Sequence, residues 1–186
     1  MRVIAGSAKG RRLAGPPDGV RPVSDRVREG LFSSLADRVI GARVLDLFAG
    51  TGALGIEALS RGASHALFVD RDARAVAAIR DNLGRTGLAE RAQVVRADVR
   101  RALGRLPGNA RYDLVFLDPP YDLQGGSLDG LLDLLGDGSL LDGGATVALT
   151  RGSRSSTVVI PLHWTVARRL AYGDSAVTLF RARTPP

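Results

Sequence analysis

Asp118-Pro119-Pro120-Tyr121 puts a carboxylate, a rigid turn and an aromatic ring side by side. The run before it, from Tyr112 to Leu117, is apolar and has the length of a short buried strand. Neither proline has a backbone N–H to give to a sheet, so the strand must end at Asp118. In open α/β sheets ligands bind beyond the carboxyl ends of the strands. There the Asp118 carboxylate and the Pro119 carbonyl can accept the two N–H bonds of one amino group. Pro120 holds the turn, and Tyr121 can stack on a flat ring. The combination suits chemistry at an exocyclic NH2 of a planar heterocycle.

A second set of residues surrounds a glycine-rich turn. Asp46-Leu-Phe48-Ala-Gly50-Thr-Gly52 follows an apolar run, and Gly50 to Gly55 satisfies G-x-G-x-x-G. Alone, that pattern suggests a dinucleotide. Three acids argue for another ligand. Asp46 stands just before the glycines and could meet an ammonium group. Asp70 ends the next apolar run and could hold ribose hydroxyls. Asp98 ends the third and could accept from an adenine amino group. A pyrophosphate would use the helix N-terminus instead, where an upstream carboxylate does not help. S-adenosylmethionine has the ammonium, ribose and adenine and no pyrophosphate. Phe48, Arg71 and Val99 flank these acids and complete the expected cofactor contacts.

The elements that must carry these residues alternate. Strands are expected over 44–48, 66–69, 93–97, 112–117 and 145–149, with helices over 53–61, 72–86, 99–106 and 128–135 between them. A closing antiparallel pair is expected near 164–171 and 176–181. Such alternation implies a doubly wound, mostly parallel α/β sheet. Ser24 or Asp25 can cap a further helix that runs to about Ala36.

The chain has 186 residues and 45% hydrophobic composition, enough for one core. It contains no cysteine, which excludes disulfides and thiol chemistry. His65 and His163 are far apart, so no metal site is expected. No signal core or spanning apolar run is visible, which favours a soluble, cytoplasmic protein with no membrane partner. Net charge is +7, and all 26 basic residues except Lys9 are arginine. Residues 1–23 read as a basic hairpin or extended arm, too small to bury a core of its own. Residues 24–186 read as the main domain. Arg2, Lys9, Arg11 and Arg12 could follow a phosphate backbone. Arg21, Ser24, Arg26 and Arg28 form a second group able to flank a substrate cleft.

On these residues the chain resembles class I S-adenosylmethionine-dependent methyltransferases of exocyclic amines. Asp46 to Gly52 looks like their first cofactor motif, and Asp118 to Tyr121 like their catalytic motif. Arg2-Val-Ile-Ala-Gly6, Lys9-Gly-Arg-Arg-Leu13 and Arg21-Pro-Val-Ser-Asp-Arg-Val-Arg-Glu29 narrow the resemblance to the bacterial 16S rRNA guanine-N2 methyltransferase family. That family usually has Thr where Val23 stands. The resemblance implies a seven-stranded Rossmann-like sheet with an antiparallel last strand, and S-adenosylmethionine as cofactor. It implies 16S rRNA of the assembling small subunit as partner, and a monomer acting on a guanine.

Two other activities and one binding role compete with this reading. An adenine-N6 methyltransferase shares the Asp-Pro-Pro-Tyr motif, but on DNA it would need a target-recognition domain that this length does not accommodate. An rRNA-binding assembly factor without activity would have no use for intact Gly50, Gly52, Asp70 and Asp118. A nicotinamide oxidoreductase leaves Asp118 to Tyr121 unexplained. If the arm is a separable docking device, removing residues 1–20 is expected to abolish rRNA methylation and leave the core folded, as circular dichroism and methyl transfer would report.

Overall fold

The computed structural model describes residues 1–15, 23–107, 109–120, 125–153, 155 and 158–183. Among them, seven strands form one sheet in the order β3-β2-β1-β4-β5-β7-β6. The strands are β1 (Arg43–Leu47), β2 (His65–Asp70), β3 (Ala92–Arg96), β4 (Tyr112–Leu117), β5 (Leu141–Gly152), β6 (Thr165–Tyr172) and β7 (Ser175–Arg181). β1 to β5 pair in parallel, and β7 runs antiparallel to both β5 and β6. The helices are α1 (Asp25–Leu35), α2 (Ala53–Ser60), α3 (Ala73–Thr86), α4 (Val99–Leu103) and α5 (Gly125–Gly136).

Side chains alternate across a strand, so β1 feeds two cores at once. Val44 joins the layer of α1, α2 and α3, where Ile56, Leu59, Phe68, Ile79 and Phe116 are buried. Leu45 and Leu47 join the layer of α4 and α5, with Leu103, Val115, Leu131 and Leu149. Both faces of the parallel sheet are therefore covered, as such sheets require. The expected strands agree with the observed ones within a few residues. Phe48 is the exception at the end of β1. It leaves the strand and takes a left-handed backbone, φ 57°.

Residues 1–15 depart further from expectation. A single antiparallel bridge, Arg2 to Arg12, closes a short hairpin. Val3, Ala8 and Leu13 are buried in the same core as α1 and α2. The hairpin is thus part of the domain's packing, and its removal would open that core. The expectation that residues 1–20 can be cut away without unfolding it is corrected on this ground.

A buried carboxylate holds the hairpin down. Glu57 of α2 has no exposed surface. It accepts from the Ile4 N–H at 2.8 Å and the Ala5 N–H at 3.0 Å. Arg61 Nε approaches it at 2.7 Å and Arg28 Nη1 at 3.4 Å. Arg28 is fully buried as well, and its Nη2 donates to the Arg2 carbonyl at 2.7 Å and to Asp25 at 2.6 Å. Ser60, one turn on, accepts from the Ala8 N–H and donates to the Ala5 carbonyl. Removing one member of a buried ion pair strands its partner without solvation, at about 3–5 kcal/mol. Glu57→Ala is expected to lower the unfolding free energy by about that amount in urea titration. A loss of under about 1 kcal/mol, the level of a surface pair, would show that the hairpin is held by other means.

Candidate active site

β1, β2 and β4 end side by side, with Asp46 paired to Phe68 and Phe116 in register. Asp70 is the last residue of β2, and Asp118 follows β4, its N–H 3.5 Å from the Leu47 carbonyl. The sheet thus brings Asp46, Asp70 and Asp118 close enough for their charges to interact. Burial pushes the Asp46 carboxyl well above the ordinary carboxylate range, against the Gly55 N–H bond that favours ionisation. The negative charges of Asp118 and Asp70 push it the same way. Asp118 is half-buried at the sheet edge, and its loss of hydration raises it to about 7.

The glycine-rich turn is built by hydrogen bonds from these acids. Asp70 Oδ2 accepts from the Gly50 N–H at 2.8 Å, and its Oδ1 accepts from the Asp72 N–H at 3.0 Å. One carboxylate therefore ties the β1–α2 turn to the start of α3. Asp46 Oδ2 accepts from the Gly55 N–H at 2.9 Å. Phe48, Gly50 and Gly52 all have positive φ, at 57°, 56° and 75°. For Phe48 that conformation costs roughly 1–2 kcal/mol. Such strain collects where a site over-determines the backbone. At Gly55 the constraint is space. A Cβ there would lie 2.3 Å from the Phe68 ring and 3.0 Å from Asp46 Oδ2, so only glycine lets α2 sit this close to β2.

The expected site residues fall into separate groups. Asp70, Gly50, Gly52 and Phe48 surround the turn, and Pro119 and Pro120 leave β4 beside it. Asp46 is only 1% exposed and bonded to α2, so it lies beneath the turn. Its Oδ2 braces the turn through the Gly55 N–H. Asp98 caps α4 by accepting from the Arg101 N–H at 3.2 Å. The Val99 side chain is buried in the second core, which leaves only its backbone to face a ligand. Arg71 is exposed just past β2. Tyr121 and Arg21 lie outside the described residues.

The basic residues divide as well. Arg2, Lys9, Arg11, Arg12 and Arg26 are exposed. Ser24 caps α1 by accepting from the Val27 N–H. Arg28 does not face solvent, and its expected contact with substrate is corrected: its guanidinium is spent on Glu57, Asp25 and Arg2. Arg11 Nη1 donates to the Arg85 carbonyl near the end of α3, and the Ser7 N–H donates to the Ser60 carbonyl at the end of α2. α2 and α3 begin at the strand ends and run back along the sheet. The hairpin therefore contacts their far ends at Ser7 and Arg11, while its last residue, Ala14, bonds to Asn82 within α3.

Glu57, Ser60 and Asn82 were not expected from sequence. A polar residue at a core position of an apolar helix is the signal that could have found them, since such a group must have partners. Among the described residues, no group of three or more His, Asp or Glu could hold a metal. No described helix is long and apolar enough to cross a membrane.

Known proteins are similar to this chain in sequence and fold. The family model described as Conserved hypothetical protein 95 matches residues 1–181. Ribosomal RNA small subunit methyltransferase D of Escherichia coli strain K12 is 35% identical over 182 residues, covering 97% of this chain and 89% of that protein. The protein of the same name from Haemophilus influenzae is 30% identical over 183 residues, covering 97% and 93%. The solved structure of yhhF from Escherichia coli superposes with a TM-score of 0.86 at 33% identity, over 100% of this chain and 99% of that one. With a matched model spanning nearly its whole length, the chain belongs to the Conserved hypothetical protein 95 family, the family of the small subunit methyltransferase D proteins.

Proposed function

We propose that this protein transfers a methyl group from S-adenosylmethionine to the exocyclic N2 of a guanine in 16S rRNA. The observation that carries the reading is Asp118-Pro119-Pro120 leaving β4 beside the strained, acid-braced turn of β1. The names of the relatives from Escherichia coli and Haemophilus influenzae support rRNA of the small subunit as the substrate. The resemblance of residues 1–29 to guanine-N2 enzymes supports the choice of base. The reading takes the assembling subunit as the substrate particle and the cytoplasm as the place, with the chain acting as a monomer.

The turn suits the cofactor. Each Asp70 oxygen accepts one backbone N–H and keeps a lone pair for a ribose hydroxyl. Gly50 and Gly52 keep side chains out of the approach, and Phe48 offers a ring at the strand end. Asp98 and the backbone of Val99 stand at the end of β3 for the base, with Arg71 at the rim. When bound, S-adenosylmethionine supplies the methyl group already activated on a sulfonium.

The chain's own task is to make an aromatic amine nucleophilic. Guanine N2 shares its lone pair with the ring. The Asp118 carboxylate and the Pro119 carbonyl accept its two N–H bonds, which favours a pyramidal nitrogen with a localised pair. Tyr121 stacks on the base. Holding the nitrogen in line supplies much of the rate. The surplus proton passes to Asp118 or to water. The target base must first leave its stack. Arg2, Lys9, Arg11 and Arg12 grip RNA backbone on the face of the hairpin, which is bonded to the ends of α2 and α3. Arg26 is exposed in the first turn of α1.

Labelled methyl transfer to small subunits from a strain lacking this protein, followed by mapping, tests the assignment; a labelled nucleotide other than guanine would refute it. Asp118→Ala is expected to lower transfer at least about a hundredfold while cofactor binding by calorimetry is kept. Near-normal turnover would end the proposed role. Only ionised Asp118 accepts both a proton and an N–H bond. With its carboxyl raised to about 7, kcat/KM is expected to fall about tenfold per pH unit below that value. A flat profile between pH 5.5 and 8, roughly spanning that titration, would contradict it. The same titration affects stability. Between the ordinary value of 3.8 and about 7, the folded state holds a proton that the unfolded chain has lost. Stability therefore falls as pH rises through that window. Asp118→Asn is expected to raise Tm at pH 8, with the gain shrinking towards pH 5. An equal shift at both pH values would argue against a raised Asp118.

A further inference from the structure

Asn82 of α3 has no exposed surface, and no step of the proposed chemistry uses it. Its Oδ1 accepts from the Ala14 N–H at 2.7 Å, at the end of the N-terminal hairpin. Its Nδ2 donates to the Thr51 carbonyl at 3.0 Å, between Gly50 and Gly52. A backbone donor on one side and a backbone acceptor on the other fix which way the amide points. One rigid planar group thus spans from the hairpin to the cofactor turn.

The turn has reason to need this bond. It holds Phe48, Gly50 and Gly52 in left-handed conformations, and the Thr51 carbonyl points into the protein. The hairpin needs it too, because Ala14 follows Leu13, its last buried apolar residue. If the hairpin lifts at Ala14, the buried Oδ1 loses its donor, an outcome that folded proteins avoid. Distortion of the turn would leave Nδ2 in the same position.

We propose that Asn82 is a positioning residue that couples the N-terminal hairpin to the cofactor turn, so that RNA held on the hairpin and S-adenosylmethionine held on the turn favour each other's binding. The proposal rests on the reading of the turn as the cofactor site and of the hairpin as an RNA contact. Coupling between two sites is reciprocal, so each ligand tightens the other by the same factor.

Two substitutions cut the bridge at opposite ends. Ala14→Pro removes the hairpin N–H and leaves Asn82 and Thr51 intact. Asn82→Asp keeps the size and the acceptor for Ala14 but cannot donate to Thr51. Titration calorimetry with S-adenosylmethionine is expected to show each variant weakened at least about fivefold, the lower range of such couplings. The double variant is expected to be no weaker than Asn82→Asp alone. Wild-type affinity in a folded Ala14→Pro variant, or additive losses in the double variant, would overturn the proposal. Hydrogen exchange on the unaltered protein gives a second test that depends on no variant. Saturating S-adenosylmethionine is expected to slow exchange at Ala14, which lies outside the turn, and unchanged exchange there would also overturn it. Failure of the unaltered protein to bind S-adenosylmethionine at all would instead remove the cofactor reading, a result the titration distinguishes.

Discussion

Glu57 sits without exposure in an eight-residue helix, and four donors from three parts of the chain converge on it. A bare carboxylate at that depth would be untenable. Ile4 and Ala5 therefore come to it from the hairpin, Arg28 from α1, and Arg61 from the end of its own helix. The N-terminal residues, too few to bury a core alone, gain one by completing this charge. Arg61 also lies over the Phe32 ring, 4.9 Å from its centre, and so joins α1 to α2 a second time. The docking of the hairpin and the seating of α1 against α2 both follow from one buried acid.

The opposite edge of the sheet is governed by carboxylates that are incompletely neutralised. Asp70 spends one lone pair of each oxygen on backbone N–H groups, and Asp118 is left with little hydration, which raises its carboxyl. Asp46 lies behind them, and burial together with the negative charges of Asp118 and Asp70 holds its carboxyl well above the ordinary range. Such an edge favours a cationic ligand and an amine donor. Loss of hydration raises the Asp118 carboxyl at the end of β4 to about 7. The two ends of the molecule thus use acids differently. At one end a single acid is saturated with donors and organises packing. At the other, a cluster keeps unused lone pairs and is available for chemistry.

Much of the fold was legible because its signals are local. Tyr112 to Leu117 is apolar apart from Asp113, and two prolines mark its end; β4 begins and ends at those residues. Asp72 and Ser24 cap the helices that follow them. Among the described residues the strands fall near the expected positions, and the last two form the expected antiparallel pair. Phe48 was less legible. Nothing in Leu-Phe-Ala announces a left-handed residue, and its conformation is imposed by the bonds of the turn around it.

By itself the sequence determined the alternation of elements, the acids at strand ends and the Asp118 to Pro120 turn, because periodicity, proline chemistry and capping act over a few residues. Only the tertiary structure decided which polar groups are available. Arg28 and Arg26 are two residues apart and equally basic, yet one is sealed against Glu57 and the other is exposed. Asp46 and Asp70 both sit in motif positions, yet one supports the turn from beneath and the other edges it. Asn82 touches Ala14 and Thr51, 68 and 31 residues away along the chain. Burial and long-range hydrogen bonding depend on which surfaces the packed sheet and helices bring together, and no local pattern around any of these residues contains that information.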